Sequence, residues 1–320
     1  MSINYIVTVT GEIPCEQLGI SSAHEHLYCD ISVHSGKEDN VLHDTSLIVR
    51  ELEYFRAVGG KSIIELTPVD IGRNSTKLKI ISEQSGVQLV SGIAFYDQNF
   101  YPEWIRGADA GKIADYFIYE IAEGTDDVRA GLIGELGSHN EPEPNASGYR
   151  LHELETRMFQ AAAEAQRRTG VAVSTHASMG RAGHAQLDIL EKAGADIGKV
   201  VIGHCDAHWH QDIEKDLAYY LPILKRGAYC GFDMIGWSDI MPENIRAERI
   251  AALIELGYEK QIVLGTDTCR LSHFHENGGR GLDALWISFL PLLRKLCVSD
   301  SQIQTILVDN VQSLLARRRN

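Results

Sequence analysis

Eight short apolar runs recur along this chain, near residues 21–28, 61–67, 87–94, 130–136, 171–176, 199–204, 227–233 and 261–267, with helix-like stretches between them. Strands buried on both faces read as such uninterrupted runs, and strands that alternate with helices pair in parallel. Eight in succession, each followed by a helix, predict a closed α/β barrel of the (β/α)8 or TIM type. The clearest helix is 150–169, where Leu151, Leu154, Met158, Ala162 and Ala165 recur at three or four residues and Gly170 supplies the stop. Others are read near 44–58, 75–85, 183–194, 245–257 and 282–296. No linker or break in composition divides the chain, so residues 1–320 are read as one domain. Ahead of the first run, Tyr5 to Ile13 alternates and turns at Gly11, predicting a short N-terminal hairpin that caps the barrel floor.

The runs end in ionisable residues. His24 and His26 flank Glu25, and two side chains separated by one residue in a strand point the same way. Later runs stop at Glu135, His176, His204 and Asp267. In a parallel barrel these positions share the C-terminal rim, where the long loops after strands 3, 7 and 8 would surround them. Imidazole and carboxylate donors suit Zn, Mn, Fe or Co. Six donors exceed the three that a single catalytic zinc usually takes with its water. Two divalent ions resolve the excess: His24, His26 and Asp267 on one, His176 and His204 on the other, with Glu135 and a hydroxide bridging. Such a pair acidifies water and polarises a carbonyl or phosphoryl oxygen, and Asp267 becomes the proton acceptor. The expected reaction is metal-assisted hydrolysis.

Composition narrows the partners. A net charge of −14 argues against a nucleic-acid or anionic-membrane surface. No apolar stretch approaches the roughly 20 residues that span a bilayer, and the N-terminus lacks a secretory pattern, so a cytoplasmic location is expected. Six cysteines show no paired spacing and are read as small buried hydrophobes. Arg317-Arg318-Arg319 is read as a solvated helix end, and His208, His210 and His275 as solvated loop residues.

Together these segments resemble the phosphotriesterase-related family of the amidohydrolase superfamily. The resemblance is carried by His24-Glu25-His26, Leu66-Thr67-Pro68, Ile71-Gly72-Arg73-Asn74, Ile133-Gly134-Glu135-Leu136-Gly137, Thr175-His176, Ile202-Gly203-His204-Cys205-Asp206 and Leu264-Gly265-Thr266-Asp267. It implies a binuclear barrel hydrolase and a homodimer. Many relatives bridge their metals with a carbamylated lysine, where this chain has Glu135. The stretches Phe232 to Trp237 and Thr266 to Leu282 resemble a branch that hydrolyses sugar lactones, some phosphorylated. A lysine and a tyrosine common in that branch are replaced here by Trp237 and His273. Arg270 and Arg280 would supply cationic contacts to substrate, with Trp237 as a pocket wall. Tyr96 matches a tyrosine placed over the metals and would hydrogen-bond the carbonyl or leaving oxygen. Arg73 is read as an anchor for the loop after strand 2. The leading expectation is a lactonase or related ester hydrolase; a phosphotriesterase, an amidase of the same architecture and a noncatalytic binding barrel are the alternatives.

Overall fold

The computed structural model describes residues 4–138, 141–142, 149–177 and 181–318. Eight strands, β1 (Ser21–Glu25), β2 (Ser62–Glu65), β3 (Gln88–Ile93), β4 (Leu132–Ser138), β5 (Val173–Ala177), β6 (Val200–Ile202), β7 (Tyr229–Phe232) and β8 (Ile262–Leu264), form one parallel sheet in sequence order. Its two edges meet through the backbone. Asp267 donates its N–H to the His24 carbonyl, and His26 to the Thr268 carbonyl, both at 3.1 Å. Helices follow the strands in order: α1 (Thr45–Ala57), α2 (Ser75–Ser85), α3 (Ala110–Ala122), α4 (Glu153–Thr169), α5 (Gly183–Lys192), α6 (Ile213–Lys225), α7 (Glu243–Glu255) and α8 (Leu290–Lys295). This is the (β/α)8 barrel that the alternation predicts.

Inside the ring, Ile64, Val90, Leu132, Val201, Tyr229 and Val263 pack as one plug with Ala172, just ahead of β5. Below it, the hairpin of Asn4–Thr8 and Gly11–Pro14 brings Ile6 against the same plug, beside Val311 and Leu314 of the last helix. The larger apolar layer lies between strands and helices, where Phe117, Phe159, Ile223 and Leu253 are fully buried. A closed floor and a filled interior leave the C-terminal rim as the open end.

The structure departs from the sequence reading in several places. Helices α3 and α6 lie outside the predicted helices: α3 is rich in β-branched and aromatic residues of modest helix propensity, and α6 carries Pro222 within it. The helix expected at 282–296 is π-helical over Leu285–Phe289 and α-helical only from Leu290, because Pro291 has no N–H for the turn behind it. Arg317 and Arg318 are not a helix end. They pair as a strand with Tyr5 and Asn4, and the Arg317 guanidinium donates to the carbonyls of Ala130 and Gly131. Among the described residues, no helix is long and apolar enough to cross a membrane.

Candidate metal centre

Local backbone irregularities aim the donor side chains. Between β4 and β5 the register moves from Ile133↔Val173 to Leu136↔Thr175, which inserts one extra residue beside Glu135. Between β1 and β2 it moves from Ser22↔Ile63 to Glu25↔Glu65, with the extra residue beside His24. Such bulges re-aim a side chain and are common next to active sites. Glu135 therefore lies within a strand rather than at its end, as the apolar run alone would place it. His204 and Asp267 sit just past β6 and β8 with φ of +52° and +47°. A left-handed conformation costs a non-glycine residue of order 1–2 kcal/mol and turns each side chain out of its strand's path.

The six predicted residues meet. His24, His26 and Asp267 form one group, and Glu135, His176 and His204 another, with the donor atoms within each group no more than 4.8 Å apart. Glu135 lies between them: Oε1 is 2.6 Å from His176 Nδ1, 3.0 Å from His204 Nε2 and 3.5 Å from His24 Nε2, while Oε2 is 3.5 Å from His26 Nε2. Asp267 Oδ1 is 3.3 Å from His26 Nε2 and 3.8 Å from His24 Nε2.

The sequence reading assigned no role to Asp233. Its Oδ2 accepts from His24 Nδ1 at 2.9 Å, and its Oδ1 accepts from His204 Nδ1 at 2.8 Å and from the His204 backbone N–H at 2.9 Å. His26 is held differently. Its Nδ1 lies 3.2 Å from Thr67 Oγ1, which donates to Glu65 Oε1 at 2.5 Å. Outer contacts of this kind fix which ring nitrogen carries the proton and turn the other toward a cation. The run ending at Asp233 carried the same signal as its neighbours, an apolar strand closed by an ionisable residue. Thr67 and Glu65 become visible only when strands 1 and 2 are side by side.

This donor set fits divalent cations. His24 Nε2 is buried with no hydrogen-bond partner among the described residues, and His204 Nε2 stands 2.8 Å from His176 Nδ1. Nitrogens and carboxylates gathered this closely call for positive charge among them, which protons or cations can supply. The ionisation tendencies agree. Burial opposes charge on every member, yet Asp233 and Glu135 lift the His24 imidazole to about 9. Against the same burial, His204 and His24 pull Asp233 below the usual carboxylate range, and His176 and His24 do so for Glu135.

Above the donors lies a cavity of about 220 Å³ lined by Tyr96, Trp237, Arg270, Cys269 and Lys37 among others. Asp70 holds the Tyr96 backbone by accepting its N–H at 2.7 Å and that of Asp97 at 3.0 Å. Close approach secures the other side: a Cβ on Gly137 would fall 1.7 Å from the Tyr96 carbonyl oxygen, so only glycine fits there. The Tyr96 ring centre lies 4.6 Å from that of His176. Trp237 donates through Nε1 to the Thr266 carbonyl at 2.9 Å, and the Arg270 guanidinium stacks 4.4 Å above its ring. Arg270 Nε has no hydrogen-bond partner among the described residues. Arg280 instead turns to the backbone, donating to the Thr266 carbonyl, with its guanidinium 5.5 Å from the Trp237 ring centre. Desolvation first, then the charges of Arg280 and Arg270, push the half-buried His273 down to about 3, so it stays neutral.

Other residues are structural. Arg73 anchors its loop by donating to Gly92 O at 2.7 Å and to Glu120 at 3.1 Å. His210 and His275 are not simply solvated, since Asp216 and Asp283 pair with them at 2.9 and 2.7 Å. All six cysteines are free thiols; Cys15 is half-buried and Cys297 exposed, and the other four are buried.

The model of the phosphotriesterase family matches residues 4–315. This chain belongs to the phosphotriesterase family. Within that family it is 31% identical to the phosphotriesterase homology protein of Escherichia coli (strain K12) over 294 residues, covering 91% of this chain and 96% of that one. The N-acetyltaurine hydrolase of Xenopus tropicalis is 28% identical and is matched over 97% of each chain. Among solved structures, a lactonase from Listeria monocytogenes superposes with a TM-score of 0.86 at 25% identity, over 97% of this chain and 98% of that one. These phosphotriesterase-family relatives make this chain a hydrolase by kinship, and its barrel brings together side chains that could bind metal.

Proposed function

We propose that the chain is a metal-dependent hydrolase of small carboxylic esters, lactones foremost. In this reading His24, His26 and Asp267 would hold one divalent ion and His176 and His204 a second, with Glu135 placed to serve both. The donors suit zinc, with manganese, cobalt or iron as substitutes. The observation that carries the reading is the size and furnishing of the cavity over the six donors. At about 220 Å³ it falls below the usual range of roughly 300–1,000 Å³ for small-molecule pockets. A cyclic ester would set its carbonyl over the donors with its ring against Trp237 and within reach of Arg270.

When bound, the two ions supply a water acidified toward neutral pH and a Lewis acid for the carbonyl oxygen. The protein's side chains do the rest. Asp267 accepts the proton of the attacking water on the carboxylate oxygen not turned toward His26, then returns it to the departing oxygen. Tyr96 walls the cavity beside His176 and donates its hydroxyl proton to the carbonyl or leaving oxygen. Arg270, stacked on Trp237 with a donor to spare, meets a polar or anionic substituent of the substrate. Arg280 acts through Trp237, holding the ring that Arg270 rests on.

Hydrolysis of an N-acyl amine is the second reading, favoured by the N-acetyltaurine hydrolase that matches this chain over nearly its whole length. The same residues serve it, with Asp267 returning the proton to nitrogen. A cytoplasmic homodimer belongs to the proposal on family resemblance, and light scattering checks its stoichiometry.

The test is a substrate panel: γ- and δ-lactones, plain and phosphorylated, N-acetyltaurine and other N-acyl amines, and an aryl phosphotriester. Rates are measured on purified chain before chelation, after it, and after metal is restored. Metal-dependent lactone turnover above the rest is the expected result. Faster amide turnover would replace the first reading with the second, and turnover that survives complete metal removal would defeat both.

A further inference from the structure

We infer that Asp233 is a positioning residue shared by the two cation sites, a single carboxylate that sets the ring tautomer of one histidine in each. The inference rests on the metal-centre reading, though not on the identity of the substrate. His24 belongs to the group with His26 and Asp267, and His204 to the group with Glu135 and His176. Asp233 receives the Nδ1–H of both rings, one on each oxygen, at 2.9 and 2.8 Å. The two ring centres lie 4.9 Å apart with their planes inclined by 32°. With Nδ1 protonated, each ring presents an Nε2 lone pair to the centre. The residue is 1% exposed, so no water replaces either contact.

The other orienting contact reaches one site alone. Thr67 touches His26 and passes its own hydroxyl hydrogen to Glu65, whereas Asp233 holds His24 and, in the second group, His204. Asp233 is thus the shared support, and Thr67 a local one.

Replacing the carboxylate by an amide separates the two halves of this arrangement. Asp233 Oδ1 already accepts two hydrogens from His204, and the backbone one cannot be moved. In Asp233→Asn the single carbonyl oxygen therefore stays with His204, and the amide nitrogen faces His24. A donor there forces the His24 proton onto Nε2, the nitrogen needed for the cation. The substitution spoils the site of His24 and spares that of His204, whereas Asp233→Ala removes support from both.

The experiment measures bound zinc by elemental mass spectrometry after dialysis against a graded chelator, on full-length wild type, Asp233→Ala, Asp233→Asn and Thr67→Val. Circular dichroism and thermal melting report whether each variant keeps its fold. Loss of an outer partner of a ligating histidine typically weakens metal binding about 10–100-fold. Asp233→Ala is expected to lose both ions at chelator strengths that leave wild type with two. Asp233→Asn and Thr67→Val should each lose one. Nitrogen NMR of histidine-labelled, zinc-loaded protein should show His24 changing tautomer in Asp233→Asn and His204 unchanged. Two ions retained by a folded Asp233→Ala would overturn the inference; should that variant not fold, two ions retained by Asp233→Asn would do so. A wild type that binds no zinc would instead defeat the metal-centre reading itself.

Discussion

In the proposed mechanism Asp267 combines two duties that usually fall to different residues, since its carboxylate faces His24 and His26 and would take the proton of the attacking water. Asp267→Asn keeps an oxygen for the histidine side and removes the base. Turnover should fall by about 10²–10⁴-fold, the usual worth of a positioned general base, while the variant still binds metal. Steady-state rates beside metal content check this, and unchanged turnover would remove Asp267 from the mechanism. Arg270 gives a different signature. Charged hydrogen bonds contribute about 1.5–3 kcal/mol, so Arg270→Met should raise KM for anionic substrates by roughly 10–100-fold and leave that for neutral lactones nearly unchanged. Asp70 adds a pH dependence away from the metal ligands. Burial first, then repulsion from Asp97, raises its carboxyl to about 6 from an ordinary 3.8, against the pull of the backbone N–H groups it accepts. The unfolded chain releases that proton near 3.8 and the folded chain near 6. Between those values the fold holds more protons, so stability declines as pH rises and then levels off above 6. Relative to Asp70→Asn, wild type should lose about 3 kcal/mol across this window by urea unfolding, a shift of roughly two pH units converted at 1.36 kcal/mol each. A pH-independent difference would refute it.

Strand ends made the barrel and the meeting of six ionisable residues legible in the sequence, because a run of β-branched residues closed by histidine or acid marks both the element and its exit, even though Glu135 proves to lie inside its strand. The bulges beside His24 and Glu135 were not legible, since an extra residue shows only against the partner strand. Glu25 illustrates the same limit. Its place between two histidines does not disclose that it is fully buried and joins β1 to the segment after β8. It accepts from Ser22 Oγ at 2.5 Å, the Thr266 N–H at 2.9 Å, Thr266 Oγ1 at 2.7 Å and the Thr268 N–H at 2.9 Å. Glu25→Ala would leave two backbone donors buried and unsatisfied, at about 1–3 kcal/mol each. The variant should be destabilised by roughly 2–6 kcal/mol, with the seam between β1 and β8 exchanging amide hydrogens faster than the β3–β4 pair. Uniform exchange at wild-type stability would show that Glu25 does not close the ring.

At the scale of the whole molecule, a chain of net charge −14 buries Glu135, Asp233 and Asp267 within one cluster of histidines, so cations bound there would be coupled to the fold. A ligand that binds only the folded state stabilises it by about 4 kcal/mol at a thousand times its dissociation constant. Chelation should therefore lower the melting temperature, and added zinc should restore melting and turnover in parallel. How the metal returns tests the bridging residue. A carbamylated lysine must capture carbon dioxide before it can bridge, whereas Glu135 is already a carboxylate and is held in its ionised form by His176 and His24 despite its burial. Reloading the chelated chain in buffer purged of carbon dioxide should thus reach the same zinc content, at the same rate, as reloading with bicarbonate present. If bicarbonate proves necessary, a lysine outside this cluster supplies the bridge, and the role assigned to Glu135 is wrong.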